Sequence, residues 1–460
     1  MKSLVTPVAL VLLAAPLSAQ EKPSAEQRIA ELEKKVELLA KGEDPNDTGK
    51  VKLANQAEVA RRGTRAGLRS FFDEGYWVLG QSHDGAFKLW MDNRVNLDAA
   101  WYNGSKNRLA DGVAARRMRL GFKATMYRDW LAEVDIDLAD NEASIKDMWI
   151  GYAGFKDSVI RIGNHKQPFG LDTISSSKNI WLMERSYTDS WTPDRRPGVS
   201  YATWGKRWQA AVGLFSQEIN KEATGVDQGW GMAGRVTFAP VFVSENKVVH
   251  LGLGATHRKP DAGVGSGSTL PPIDYTVTFD TRPETKVART KFLAAKLANV
   301  ETFNQTGLEF AGVWGPFSWQ SEYQQTKVQR RSGFPTLADH TFKAYYGQVS
   351  WFLTGGQRNY SASEAEFDRV VPTGKHGAWE LIARWSTMDL NDVTTLDPVR
   401  GGSAKNLTVG LTWHINTNFK WMLNVTKVDH DDYAKPTKAT FGTATNDDFT
   451  FVSTRFAVHF

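Results

Sequence analysis

Arg94, Arg117, Arg119 and Lys123 fall in two stretches, KLWMDNRVNLDAAW and RRMRLGFKATM, where charged or polar residues alternate with apolar ones. In the next stretch, LAEVDIDL, Glu133, Asp135 and Asp137 alternate with Ala132, Val134, Ile136 and Leu138. A period of two sends successive side chains to opposite faces of a strand, so three consecutive strands carry charge on one face only. The chemistry open to such a wall is to hold an anion, which leaves water only if donors without acceptor character replace its hydration. Arg presents a rigid fork matched to the oxygens of an oxyanion, and Lys acts as a point charge. Arg161, Lys166 and Lys178 extend the set, and Arg235 and Arg258 continue it along later strands. The same cations could instead pair with Asp92, Asp98, Glu133, Asp135 and Asp137 across neighbouring strands.

Other chemistries find less support. Asp135 and Asp137 could serve as an acid and base pair, but alternation sets them beside a cationic wall that keeps both ionised; no enzymatic activity is expected. His165, His250 and His257 lack metal-ligand spacing, so neither a metal nor a cofactor is expected. Zero cysteines remove thiol catalysis, Cys-ligated metals and disulfides. The run GVGSGS from Gly263 has no strand-to-helix context and reads as a loop rather than a phosphate cradle. A net charge of +5 permits an acidic partner, but no nucleic acid is expected.

The elements that must position these residues follow from the same pattern. Residues 1–19 read as a secretory signal peptide. Residues 20–42 read as a periplasmic coiled-coil helix, since Ile29, Leu32, Val36 and Leu39 recur at heptad spacing. Residues 43–84 are polar and read as a linker. From 85 to 460 the period of two returns in sixteen segments, ending with FTFVSTRFAVHF at Phe460. No later apolar run reaches the roughly 18 residues of a membrane-spanning helix. Seventeen Trp and 24 Phe suit interfacial girdles. The expected fold is therefore a 16-stranded antiparallel outer-membrane β-barrel, with short turns on the periplasmic side and longer loops outside. Arg116 falls on the lipid-facing parity, where mid-membrane placement costs about 2–4 kcal/mol; it must sit at the rim or be turned inward by a bulge. The stretch from His165 to Pro197, holding Lys166, Lys178, Arg185, Arg195, Arg196, Trp181 and Trp191, would narrow the pore if folded into the lumen. Folded over the top, it would be only a surface loop.

Several phrases in order resemble one family, the phosphate-selective porins O and P: RRMRLGF, LAEVDIDLADN with IKDMWIGY, RIGNHKQPFGLDTISSSKNIWLMERS, PDRRPGVSY, GLEFAGVWGPFSWQSEY, WFLTGG, GAWELIARWSTMDLND and NLTVGLTWHIN. The resemblance implies a homotrimer in the bacterial outer membrane, a constriction built with the third extracellular loop, and an arginine-lined path to a phosphate site containing lysines. Carried over, the strand-two basic pair is Arg116 and Arg117, with Arg119 next; Lys166 and Lys178 are the loop lysines, and Asp135 or Asp137 the neighbouring carboxylate. The implied function is passive conduction of phosphate or related oxyanions such as pyrophosphate. The alternatives are a weakly selective diffusion porin for sugars or carboxylates, and a structural barrel tethered by its coiled coil.

Overall fold

The computed structural model describes residues 68–73, 75–219, 228–261, 263–264 and 273–460. The expected signal peptide and coiled-coil helix lie outside the described residues, as does most of the expected linker.

Sixteen antiparallel strands close into a ring. In chain order they are β1 Arg94–Asn103, β2 Gly112–Met126, β3 Trp130–Asp137, β4 Ser144–Tyr152, β5 Ser158–Lys166, β6 Arg195–Gly205, β7 Trp208–Phe215, β8 Trp230–Ser244, β9 Lys247–Lys259, β10 Val300–Trp314, β11 Phe317–Arg330, β12 His340–Phe352, β13 Ala378–Asp392, β14 Val399–His414, β15 Phe419–His430 and β16 Phe449–His459. Each alternating segment of the sequence after the first corresponds to one strand. β16 returns to β1 with Arg455 opposite Asp98 and His459 opposite Arg94, which removes the free edges an open sheet would expose. Along β16, Val452 and Phe456 face outward, while Ser453, Arg455, Ala457 and His459 are buried toward the lumen. Outward-facing Trp208, Trp230, Trp314, Trp351 and Trp385 are 40–55% exposed, as an aromatic girdle at a lipid interface requires.

The first alternating segment is broken rather than continuous. Lys88–Met91 forms a short strand on β2, and β1 starts only after Asp92 and Asn93. The cause is the C-terminus: Phe460 exchanges backbone hydrogen bonds with Asn93, at 2.6 and 3.2 Å, where the last strand ends. Beyond that point the strand Tyr76–Gln81 pairs with Lys88–Met91, and Arg69–Asp73 pairs with Tyr76–Gln81. Part of the expected linker is thus sheet. Opposite the break, a Cβ at Gly121 would lie 2.6 Å from the Asp92 carbonyl oxygen, so only glycine allows this close approach. In β2 the register slips between Asn96–Arg117 and Leu97–Ala115, leaving Arg116 as the extra residue of a bulge. That bulge turns Arg116 inward, and its lipid-facing parity carries no penalty.

Connections at one end of the barrel are short, such as 206–207, 245–246 and 315–316, whereas most at the other end are longer. One connection departs from this: residues 353–377, at the short-turn end, run into the lumen, where Tyr360, Ala365 and Phe367 are buried. The loop after β5, residues 167–194, also folds into the lumen. Its Leu171, Trp181 and Leu182 join a buried cluster with Phe367 and Ile382, and Tyr187 and Trp191 join another with Phe279 and Leu293 from residues 260–299. Each fully buried side chain of this size contributes roughly 1.5–3 kcal/mol. Polar contacts set the loop's register: Glu322 of β11 accepts the amides of Leu171 and Asp172 at 3.0 and 2.6 Å, and Trp191 Nε1 donates to Gln324 at 2.8 Å. The lumen is therefore narrowed from both ends by chain that the wall grips.

Candidate functional site

The period of two delivers the charged faces of β1–β3 to one side of the lumen, and antiparallel register then sets cation against anion. Arg119 lies opposite Asp137 and Lys123 opposite Glu133. Arg119 donates to Asp137 at 3.0 Å and to Asp135 at 3.3 Å; Lys123 reaches Asp92 at 2.9 Å and Glu133 at 3.5 Å. Arg94 lies 3.5 Å from Asp135 and donates to the Ser177 hydroxyl of the inward loop at 2.7 Å. Lys178 of that loop hydrogen-bonds Asp92 and sits 4.8 Å over the Tyr76 ring. Arg161 sits 5.2 Å over Trp149 and 3.6 Å from Glu364.

Below the inward loop these groups surround a cavity of about 540 Å³, to which the 353–377 connection contributes Glu364, Glu366, Asp368 and Arg369. Ten cationic and six acidic side chains line it. Of the residues expected to form an anion path, Arg94, Arg119, Lys123, Arg161, Lys166 and Lys178 all contribute to that lining; Arg117 and Asp135 do not. Lys166 plays a local part as well: its ammonium donates to the carbonyls of Thr173, Ile174 and Ser175 at 2.7, 2.9 and 3.0 Å. All three of its N–H groups thereby hold the loop's short helix.

A second cationic layer lies toward the long-loop end. Arg116 donates two bonds to Glu184 at 2.5 and 2.7 Å, and Arg455 grips Asp98 at 2.6 and 2.7 Å and Glu184 at 2.9 Å. Arg384 bonds Glu284 at 2.7 Å. Among these, Arg117 stands apart. It is 2% exposed, its charged neighbours are Arg116, Glu184, Arg455 and Arg119, and among the described residues no carboxylate lies within ion-pair distance of it. Its Nε has no partner, and Nη1 reaches only the Asn96 amide oxygen, at 3.3 Å with that amide suitably turned. A buried guanidinium costs free energy unless an anion faces it.

The remaining expected cations also point inward, Arg235 paired with a wall carboxylate and Arg258 bound to uncharged groups. Arg235 is bidentate to Glu309 at 2.9 and 2.7 Å, and Arg258 donates to Gln167 at 3.1 Å, tying the inward loop to β9. Glu133, Asp135 and Asp147 bring oxygens within 4.8 Å of one another, but Lys123, Arg94, Arg119 and Arg195 pair with them, so their charge is already balanced. Sequence reasoning left out Arg455, Glu184 and Arg384 as site residues. Arg455 was visible on the polar face of the last strand; the others acquire their role only from long-range packing.

The family model for the phosphate-selective porins O and P matches residues 89–460. The chain is similar to Porin O of Pseudomonas aeruginosa, with 26% identity over 376 residues, covering 73% of this chain and 82% of that protein. An uncharacterized protein of Caulobacter vibrioides is 25% identical over 367 residues, covering 76% of this chain and 70% of the relative. Among solved structures, in-vitro folded OmpT, an outer membrane protein of Vibrio cholerae, superposes with a TM-score of 0.51 at 9% identity, covering 83% of this chain and 99% of that one, a likeness of fold alone. With its closed barrel and a family match spanning most of its length, the chain belongs to the phosphate-selective porin O and P family and is a porin of the bacterial outer membrane.

Proposed function

We propose that this porin passively conducts anions, preferring phosphate or a related phosphorus oxyanion, and carries out no chemical reaction. The observation that carries the reading is the excess of ten cations over six acids around the narrowed lumen, continued toward the long-loop end by Arg117, which has no acidic partner among the described residues. Ion pairing supplies part of the geometry and leaves a net positive field. An oxyanion then exchanges water for guanidinium and ammonium donors at successive weak wells. The aromatic residues of the cavity do not form an open stacking track for sugars: cations sit over Tyr76 at 4.8 Å, over Trp90 at 5.5 Å and over Trp149 at 5.2 Å. The same reading includes a homotrimer. Its support is the family match over residues 89–460.

Phosphate titrated into a chloride-carrying channel in a planar bilayer tests the proposal. Block at low phosphate concentration, weakened in Arg119→Ala, is the expected outcome. Chloride current indifferent to phosphate would return the protein to the general-diffusion class. Native mass spectrometry in detergent tests the trimer, and a monomer alone would count against it.

A further inference from the structure

A small void adjoins the larger cavity, between residues 178–180 of the inward loop, the 353–377 connection and the short-turn ends of β14, β15 and β16. Its charged and imidazole-bearing lining is Lys178, Arg358, Arg369, His414, Lys420 and His459, with no carboxylate among the lining residues. Most of these already have partners. Lys178 hydrogen-bonds Asp92, while Arg358 and His414 share Glu380 at 2.5 and 2.9 Å. Lys420 differs: it is 6% exposed, and among the described residues its ammonium has only the Lys178 carbonyl, at 2.8 Å. Two of its three N–H donors are left over. His459 is 5% exposed, and its Nε2 has no partner among the described residues. Asn179 also lines the void; its Nδ2 donates to the Phe367 carbonyl at 3.5 Å, and its Oδ1 has no partner among the described residues.

We propose that this void is a fixed binding site for one monoatomic anion of the halide class, held by Lys420 Nζ and His459 Nε2. It goes beyond the permeation reading, because the ion serves as a structural counter-ion. The void measures about 10 Å³, the space of a single water-sized particle, which excludes a tetrahedral oxyanion and restricts an anionic occupant to a single atom. A buried ammonium without an opposite charge is strongly disfavoured, and a bound halide supplies that charge. The ion joins the inward loop, through the Lys178 carbonyl that Lys420 holds, to the C-terminal strand.

Crystals of the full chain grown with bromide in place of chloride test this directly. The expected result is an anomalous peak within contact distance of both Lys420 Nζ and His459 Nε2. Thermal unfolding in detergent should also show a midpoint several degrees higher in sodium bromide or chloride than in sodium gluconate at equal ionic strength. Lys420→Met should abolish that difference. A water in the void that persists in bromide, or a halide dependence retained in Lys420→Met, would overturn the site; the bromide experiment decides the matter even if the variant does not fold.

Discussion

Replacing Arg117 by Met separates a residue that serves the ion from one that serves the wall. Arg117 has no carboxylate within ion-pair distance among the described residues; its charged neighbours are Arg116, Arg119, Arg455 and Glu184, the last already paired with Arg116 and Arg455. Its removal therefore strands no acid and relieves repulsion between like charges. Stability should stay the same or rise. An anion about 4 Å from a guanidinium gains roughly 1 kcal/mol at the dielectric of water and about 4 kcal/mol at an effective value near 20. A loss near the middle of that range, about 2 kcal/mol, weakens phosphate block roughly 30-fold. Arg455→Met provides the contrast, because it leaves Asp98 buried without its guanidinium partner, while Glu184 keeps Arg116. That should cost about 3–5 kcal/mol of stability. The assays are phosphate block of single-channel current and unfolding in detergent, run on both variants. If Arg117→Met blocks like the parent protein, or unfolds as early as Arg455→Met, then Arg117 is a wall residue and the reasoning fails.

Glu309→Gln should destabilise the barrel by about 3–5 kcal/mol by leaving Arg235 buried without its charge partner, while the reversal potential of folded channels moves little; a large selectivity change at unaltered stability would contradict this. Lys166→Met removes the three bonds that hold the inward loop's helix, so open-channel noise should rise, and a current trace as quiet as the parent's would deny the lysine that role. The Arg116 guanidinium, with help from burial, lowers the pKa of Lys286, in the 260–299 connection, to about 8. Lys286 is then charged below that pH and neutral above it, so anion selectivity should fall as pH rises through about 8, and Lys286→Met should lack that step. An unchanged pH profile in the variant would assign the titration elsewhere.

The strands were legible because a two-residue period is a strong signal in a wall with lipid on one side and water on the other. Lys123 opposite Glu133 and Arg119 opposite Asp137 follow from alternation plus a tight turn at Tyr127–Asp129. Arg116 shows the limit of that reasoning. Its parity demanded either a rim position or a bulge, and only the packing of Glu184 beneath it decides for the bulge. The break after Met91 was illegible for a similar reason: it is imposed by Phe460, more than 300 residues away. Irregular chain was hardest to read. Nothing in residues 353–377 carries a periodic signal, so Arg358, Glu366 and Arg369 entered the lumen unannounced. Lys166 and Lys178 could be singled out as loop cations, but their division of labour, one holding carbonyls and one facing Asp92, depends on how residues 167–194 fold.

The reversal potential of the purified protein in a planar bilayer under a potassium chloride gradient tests the central claim most directly. A potential close to the chloride equilibrium value, lost progressively as phosphate blocks the current, is what a lumen with this cationic excess should give. A potential near zero or toward the potassium value, with no effect of phosphate, would leave the barrel intact and contradict the account of what passes through it.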